Sequence, residues 1–309
     1  MRIASLAARA CLASLVSLAL PATGLTQVLV PQPGFGTFNV NYQWAHAKFH
    51  LFSVKDPATG SNRLDLGPMD SQTMFMNADY CFVRGLDVLA SANFVAARYL
   101  GADPERPTDT STFQHSPQDG TLGLHYVAGF EGITVAGGAD YSFPMTDYIT
   151  EGHNALGRGI QQLGLSLSLS RALPKIPGAV AAVGVGHDFE ENVGMYKLGT
   201  NHFTASLGYF ATDKISLNSH FSYSQTKNGF DWADPNNWAD GGGMIHDPAA
   251  EALVRTAGGS VNYQFSSSYG IGIDVTGVLS GANTTDPMTY TLLTSYNFWS
   301  PFARRKAGF

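Results

Sequence analysis

Leu163, Leu165, Leu167 and Leu169 alternate with Gly164, Ser166, Ser168 and Ser170. Side chains of an extended strand point to opposite faces in turn, so this segment has one apolar face and one small, polar face. A single strand of this kind constrains little. The pattern recurs about twelve times along the chain, and the segments between recurrences are alternately short and long.

The recurrences follow an export signal. Arg2 and Arg9 supply positive charge, an apolar stretch runs from Leu12 to Leu20, Pro21 breaks it, and Ala22-Thr23-Gly24 offers small residues to a signal peptidase. Cleavage is expected after Gly24, which divides the chain into a signal peptide, 1–24, and one domain, 25–309. The apolar stretch is shorter than the ~20 residues a spanning helix needs, and no other stretch reaches that length. Cys81 is the only cysteine left after cleavage, so no intramolecular disulfide can staple the fold.

The strands are read by parity at 37–51, 73–82, 86–99, 121–130, 133–143, the Leu163 run (163–170), 179–186, 202–210, 215–225, 255–265, 270–279 and 288–298. In the first, Phe38, Val40, Tyr42 and Trp44 oppose Asn39, Asn41 and Gln43; the apolar phase then slips to Ala45, Ala47, Phe49 and Leu51, as at a bulge. Short turns are expected at Val83-Arg84-Gly85, Glu131-Gly132, 174–178, 211–214 and 266–269. Long polar connections are expected at 53–70, 101–118, 144–158, 188–196 and 226–251.

An even strand number, strands of roughly 9–11 residues, and short turns alternating with long loops are the marks of a transmembrane β-barrel. The expected fold is therefore all-β: an antiparallel up-and-down barrel of about twelve strands in the cell outer membrane, with both termini periplasmic. Phe82, Tyr99, Phe130, Phe143, Phe210, Phe265 and Phe298 at strand ends would form its aromatic girdles. A soluble β-sandwich or lipocalin-like barrel also alternates, but its connections need not alternate in length. Composition agrees with the membrane reading. Charged residues make up 14% of the chain, against roughly 25% in ordinary soluble domains, so Ser, Thr, Asn, Gln and 34 glycines supply the polarity.

With the apolar parity facing lipid, the opposite parity lines the lumen. That set contains Asp79, Asp87, Asn93, His125, Asp140, Gln162, His202, Asn218, His220, Asn262, Asp274 and Asn297, the candidate solute path. Carboxylates with few basic companions favour cations or neutral solutes over anions. The alternative is that these groups bond to one another and to water and simply fill a modest barrel. A formal net charge of −6 argues against nucleic acid. The expected partners are outer-membrane lipid, a small organic solute and the barrel assembly machinery, and no cofactor is implied.

Enzymatic readings are weaker. His220 and Ser222 lie two apart, as a lipid hydrolase could place them, but their parity points inward, away from lipid. His187-Asp188-x-Glu190-Glu191 reads as a solvated loop that matches no closed metal-ligand set. The stretch 231–247 holds acidic residues and Gly241-Gly242-Gly243 without regular calcium-loop spacing; its Trp232 and Trp238 are expected to fold into the barrel mouth or touch lipopolysaccharide. A structural or adhesive barrel that binds a partner through its loops is the rival reading.

Two stretches carry a family resemblance. Asp119-Gly120-Thr121-Leu122-Gly123-Leu124-x-Tyr126, and Asp140-Tyr141-Ser142-Phe143-Pro144-x-x-Asp147-Tyr148 followed by Asn154-Ala155-Leu156-Gly157-Arg158-Gly159, resemble segments of proteobacterial outer-membrane proteins described as transporters of the meta-pathway of phenol degradation. The resemblance implies an outer-membrane barrel that passes small, often hydrophobic or aromatic compounds, with no catalytic residues to transfer.

Overall fold

The computed structural model describes residues 30–51, 61–101, 110–150, 152–153, 155–231 and 249–300. The strands are β1 (Phe35–Leu51), β2 (Arg63–Val83), β3 (Leu86–Tyr99), β4 (Gln114–Phe130), β5 (Ile133–Pro144), β6 (Gln162–Ala172), β7 (Ala179–Glu190), β8 (Gly199–Phe210), β9 (Ile215–Lys227), β10 (Leu253–Gln264), β11 (Tyr269–Ala282), the two-residue β12 (Thr284–Thr285) and β13 (Met288–Trp299). Each long strand pairs antiparallel with its sequence neighbour, and β1 closes the ring by pairing with β2 on one side and β12 and β13 on the other. Since β12 and β13 share one place in the wall, this is a closed barrel of twelve staves.

The short connections gather at one end and the long ones at the other. Glu131 and Gly132 both take positive φ, 45° and 81°, in the two-residue link that matches the twist of a hairpin. At that same end the N-terminal lead is tied down: Gly34 donates to the Cys81 carbonyl at 2.6 Å, and Ser300 donates to the Gly34 carbonyl at 2.7 Å.

The outward face is apolar. Leu163, Leu165, Leu167 and Leu169 are exposed, as are Leu122, Leu124, Val183, Val185, Leu207, Leu217, Ile273 and Leu292 on other strands. A single-layer wall with such an exterior is suited to hydrocarbon, and closure satisfies every strand edge there. Most inward residues are polar, and several are tied across strands: Thr121 to Ser142 at 2.8 Å, Ser222 to Thr256 at 2.6 Å and Thr200 to Thr226 at 2.8 Å, hydroxyl to hydroxyl.

Several expectations are corrected. Residues 63–70 and 114–118 are not loop but the polar ends of β2 and β4; β2 stays paired with β1, and residues 114–117 with β3, beyond the apolar band. In β1 the bulge exists but lies between Ala47 and Phe49; Ala45 and Ala47 are buried and simply continue the inward face of Asn41 and Gln43. Tyr99 does not join an outer girdle. It is 2% exposed and points inward, whereas Phe82, Phe130 and Phe265 are exposed on the outside of the short-turn end.

The β1–β13 seam has one interruption. Pairing runs from Phe35–Trp299 to Asn39–Ser295 and resumes at Tyr42–Leu292 in the same register. Side chains fill the gap: the Thr294 amide donates to Asn41 Oδ1 at 3.0 Å, and the Thr294 hydroxyl donates to the Val40 carbonyl. Asn41→Leu leaves that amide without a partner and is expected to cost about 1–3 kcal/mol. Urea titration of the folded barrel in detergent micelles checks this; an unchanged midpoint would show that the staple carries no stability.

Candidate functional site

The interior is organised by register and by one inward-folded connection. Starting near the short-turn end, Thr37 pairs with Asp79, Asp79 with Leu89, Leu89 with Gly123 and Gly123 with Asp140. The row continues through Gly164, Asp188 and Thr200 to Thr226, at the long-loop end of β9. Barrel strands tilt by roughly 35–45°, so a row of paired residues climbs the wall as a helix. Three carboxylates, Asp79, Asp140 and Asp188, therefore mark successive heights. Neighbouring strands are about 4.8 Å apart, which separates these steps by about 14 Å and about 10 Å along the row.

The glycines on the row give the carboxylates room. A Cβ on Gly123 would overlap the Asp140 carboxylate, and one on Gly164 would sit 2.7 Å from Asp188 Oδ1. Histidines reach these acids from adjacent strands. His125 Nε2 lies 2.8 Å from Asp140 Oδ1, and His202 Nε2 lies 2.8 Å from Asp188 Oδ2. A third pair, His220 Nδ1 and Asp274 Oδ2, stands at 3.6 Å, with His220 Nε2 3.0 Å from Thr276 Oγ1.

The remaining lumen candidates distribute around the wall. Asp87 pairs in register with His125, next to the short-turn end of β3. Asn297 pairs with Thr37 and donates to the Ser267 carbonyl at 3.4 Å. Asn262 donates to Ser260 Oγ at 3.3 Å, and Asn218 faces Ser260 in register. Gln162 lies across β6 and β7 from Asp188, to which it donates at 3.5 Å, nearer the long-loop end. Asn93 is buried higher on β3. His220 and Ser222 do not assemble as a hydrolase pair: the Ser222 hydroxyl is taken by Thr256 and His220 by Thr276 and Asp274.

Sequence reasoning missed the upper part of the lumen. Asp188 and Glu190, expected on a solvated loop, lie on β7, on the inward parity shared with Gly184 and Gly186. Continuing that parity past Gly186 was the available signal. The described residues of the connection 145–161 fold into the barrel mouth. Leu156 packs on Val95 and Ala97 of the inner face of β3, with Tyr148 against them, and Ile160 joins Tyr196, Leu198, Phe230 and Ala249 on the other side. Polar contacts fix it: Gln118 donates to the Leu156 carbonyl at 2.6 Å, Tyr148 donates to Asp119 at 2.7 Å, and the His153 ring stacks on Tyr99 at 4.2 Å. Arg158 and Glu190 make a buried ion pair at 2.6 Å. Apolar Leu156 and Ile160 within a polar connection were the sequence signal for this. Trp232 and Trp238, the residues expected in the mouth, lie outside the described residues.

No family model and no curated protein matches the chain. Among solved structures it is similar to the COG4313 outer membrane channel from Pseudomonas putida F1, with a TM-score of 0.64, 12% identity, and coverage of 87% of this chain and 97% of that one. It is also similar to the NanC porin, with a TM-score of 0.52, 10% identity, and coverage of 84% and 98%. The chain has the fold of outer-membrane β-barrels.

Proposed function

We propose that this protein is an outer-membrane channel through which small organic solutes pass passively. The observation that carries the reading is the inversion of the barrel: apolar residues outside, and inside a largely polar surface on which Ser166 of β6 remains exposed to solvent. A polar wall of this kind offers a permeating solute replacement hydrogen bonds, while the apolar exterior holds the barrel in lipid. The signal-like form of residues 1–24 supports export to the outer membrane, and the alternation of short and long connections supports periplasmic termini and short turns with the long loops outside. The two similar structures, one described as an outer membrane channel and the other as a porin, support the same class. The resemblance of the 119–126 and 140–159 segments to transporters of the meta-pathway of phenol degradation supports small, often aromatic compounds as the solute class.

The described residues of the connection 145–161 pack inside the mouth, which supports small molecules as the permeating class. Purified barrel in a planar lipid bilayer is expected to give discrete conductance steps, and liposomes carrying it to admit small organic solutes faster than empty ones. Absence of both would overturn the reading.

A further inference from the structure

We infer that the short-turn end of the lumen holds a binding position for a small organic cation, an ammonium-bearing solute, formed by Asp79 and Asp87 with Asn297 beside them. This rests on the channel reading and gives it a substrate class.

The first observation is the set of unmatched acceptors. Asp79 is 8% exposed; Thr37 and Asn77 donate to its Oδ2 at 3.3 Å and 3.4 Å, while Oδ1 has no partner. Asp87, 9% exposed on the neighbouring strand, likewise has an unpartnered Oδ1. Asn297 is 3% exposed, and in the row Asn297–Thr37–Asp79 it stands one strand beyond Thr37. Its amide oxygen is also without a donor. Asp79 and Asp87 stand on neighbouring strands, Asn297 stands two strands from Asp79, and the unmatched atom of each is an acceptor. Buried acceptors left unmatched are costly, and the ligand that relieves them brings several N–H donors and a positive charge. An ammonium group does both.

The second observation is the charge of the wall above. Lys48, Arg63, Arg98, Arg171, Lys227 and Arg255, the basic residues of the described strands, stand on the outward parity or at exposed strand ends. Arg158 enters the mouth but is matched by Glu190. A cation arriving from the long-loop end thus meets Asp188 with His202, then Asp140 with His125, before Asp79 and Asp87. Rings or stairs of like charge set the sign of the permeating species. A coordinated metal fits less well: among the described residues no group of three or more His, Cys, Asp or Glu is arranged to hold one. Acceptors set on strands spaced by about 4.8 Å suit a multi-atom cation better than an ion with a ligand shell of about 2.3–2.6 Å.

The test uses the full barrel in a planar bilayer under a potassium chloride gradient, with phenethylammonium chloride as probe. Wild type is expected to show a several-fold preference for potassium over chloride and a saturable block of the potassium current by phenethylammonium. In D79N/D87N the preference should fall several-fold and the block should weaken at least as much. Asp213→Asn, in the exposed β8–β9 turn, should leave both unchanged. Conductance with no cation preference, wild-type current insensitive to phenethylammonium, or an unaltered D79N/D87N would each overturn the inference and leave the channel reading standing. If D79N/D87N fails to fold, the wild-type titration alone still decides. Lack of any conductance would remove the channel reading and this inference together.

Discussion

Arg158→Met is expected to free the inward-folded connection and raise conductance several-fold. The guanidinium lies 2.6 Å from Glu190 with both side chains almost wholly buried, so removing it strands a carboxylate inside the mouth. Breaking a buried pair from one side costs about 3–5 kcal/mol. The twelve-stave wall does not depend on this contact; the penalty falls on the connection, which the clusters around Leu156 and Ile160 and the polar contacts of Gln118, Tyr148 and His153 must then hold. Replacing both partners, R158M/E190M, removes the stranded charge and should restore conductance towards wild type. Single-channel recording and limited proteolysis of the 145–161 segment read the outcome. If the single variant conducts like wild type and resists the protease equally, the ion pair does not hold the connection in place.

Leu165→Arg is expected to cost about 2–4 kcal/mol of membrane stability, the penalty for a cation on the lipid face near the bilayer midplane. Its neighbour supplies the contrast. Ser166→Arg puts the same charge on the lumen parity of β6, where it should change selectivity and cost little stability. Folding into lipid vesicles under urea titration separates the two. Equal destabilisation by both would mean that the barrel does not distinguish its faces as an outer-membrane barrel must.

The same pair shows what the sequence could reveal. Leucine and serine in strict alternation give strand, face and orientation at once, because parity in a strand is a rigid geometric rule. Parity also assigns Asp79, His125 and Asn297 to the inner wall. It failed where the apolar partner set runs out. Beyond Gly186 the inward residues Asp188 and Glu190 look like loop, since their neighbours His187 and Glu191 are polar as well. At 63–70 and 114–118 the strands continue into a wet region that needs no apolar face. Tyr99 was assigned by residue type to a girdle, yet its ring has a partner inside, His153, brought there by a connection 54 residues later in sequence terms. No local pattern encodes that fold-back; it depends on Leu156 and Ile160 finding walls built from distant strands.

The seam between β1 and β13 sets the order of events in making the barrel. Gln43 bonds Thr291 across a sequence separation of 248 residues, and Asn41 meets Thr294 across 253. Every other stave can zip to its immediate predecessor, but this junction cannot form until the last strand exists. Until then the chain is an open sheet with two unsatisfied edges, each a template for a wrong partner. Closure is therefore the latest and slowest step, as pairings of high sequence separation are. The interrupted ladder at residues 40–41, stapled by Asn41 and Thr294, lies where the first and last parts of the chain recognise each other.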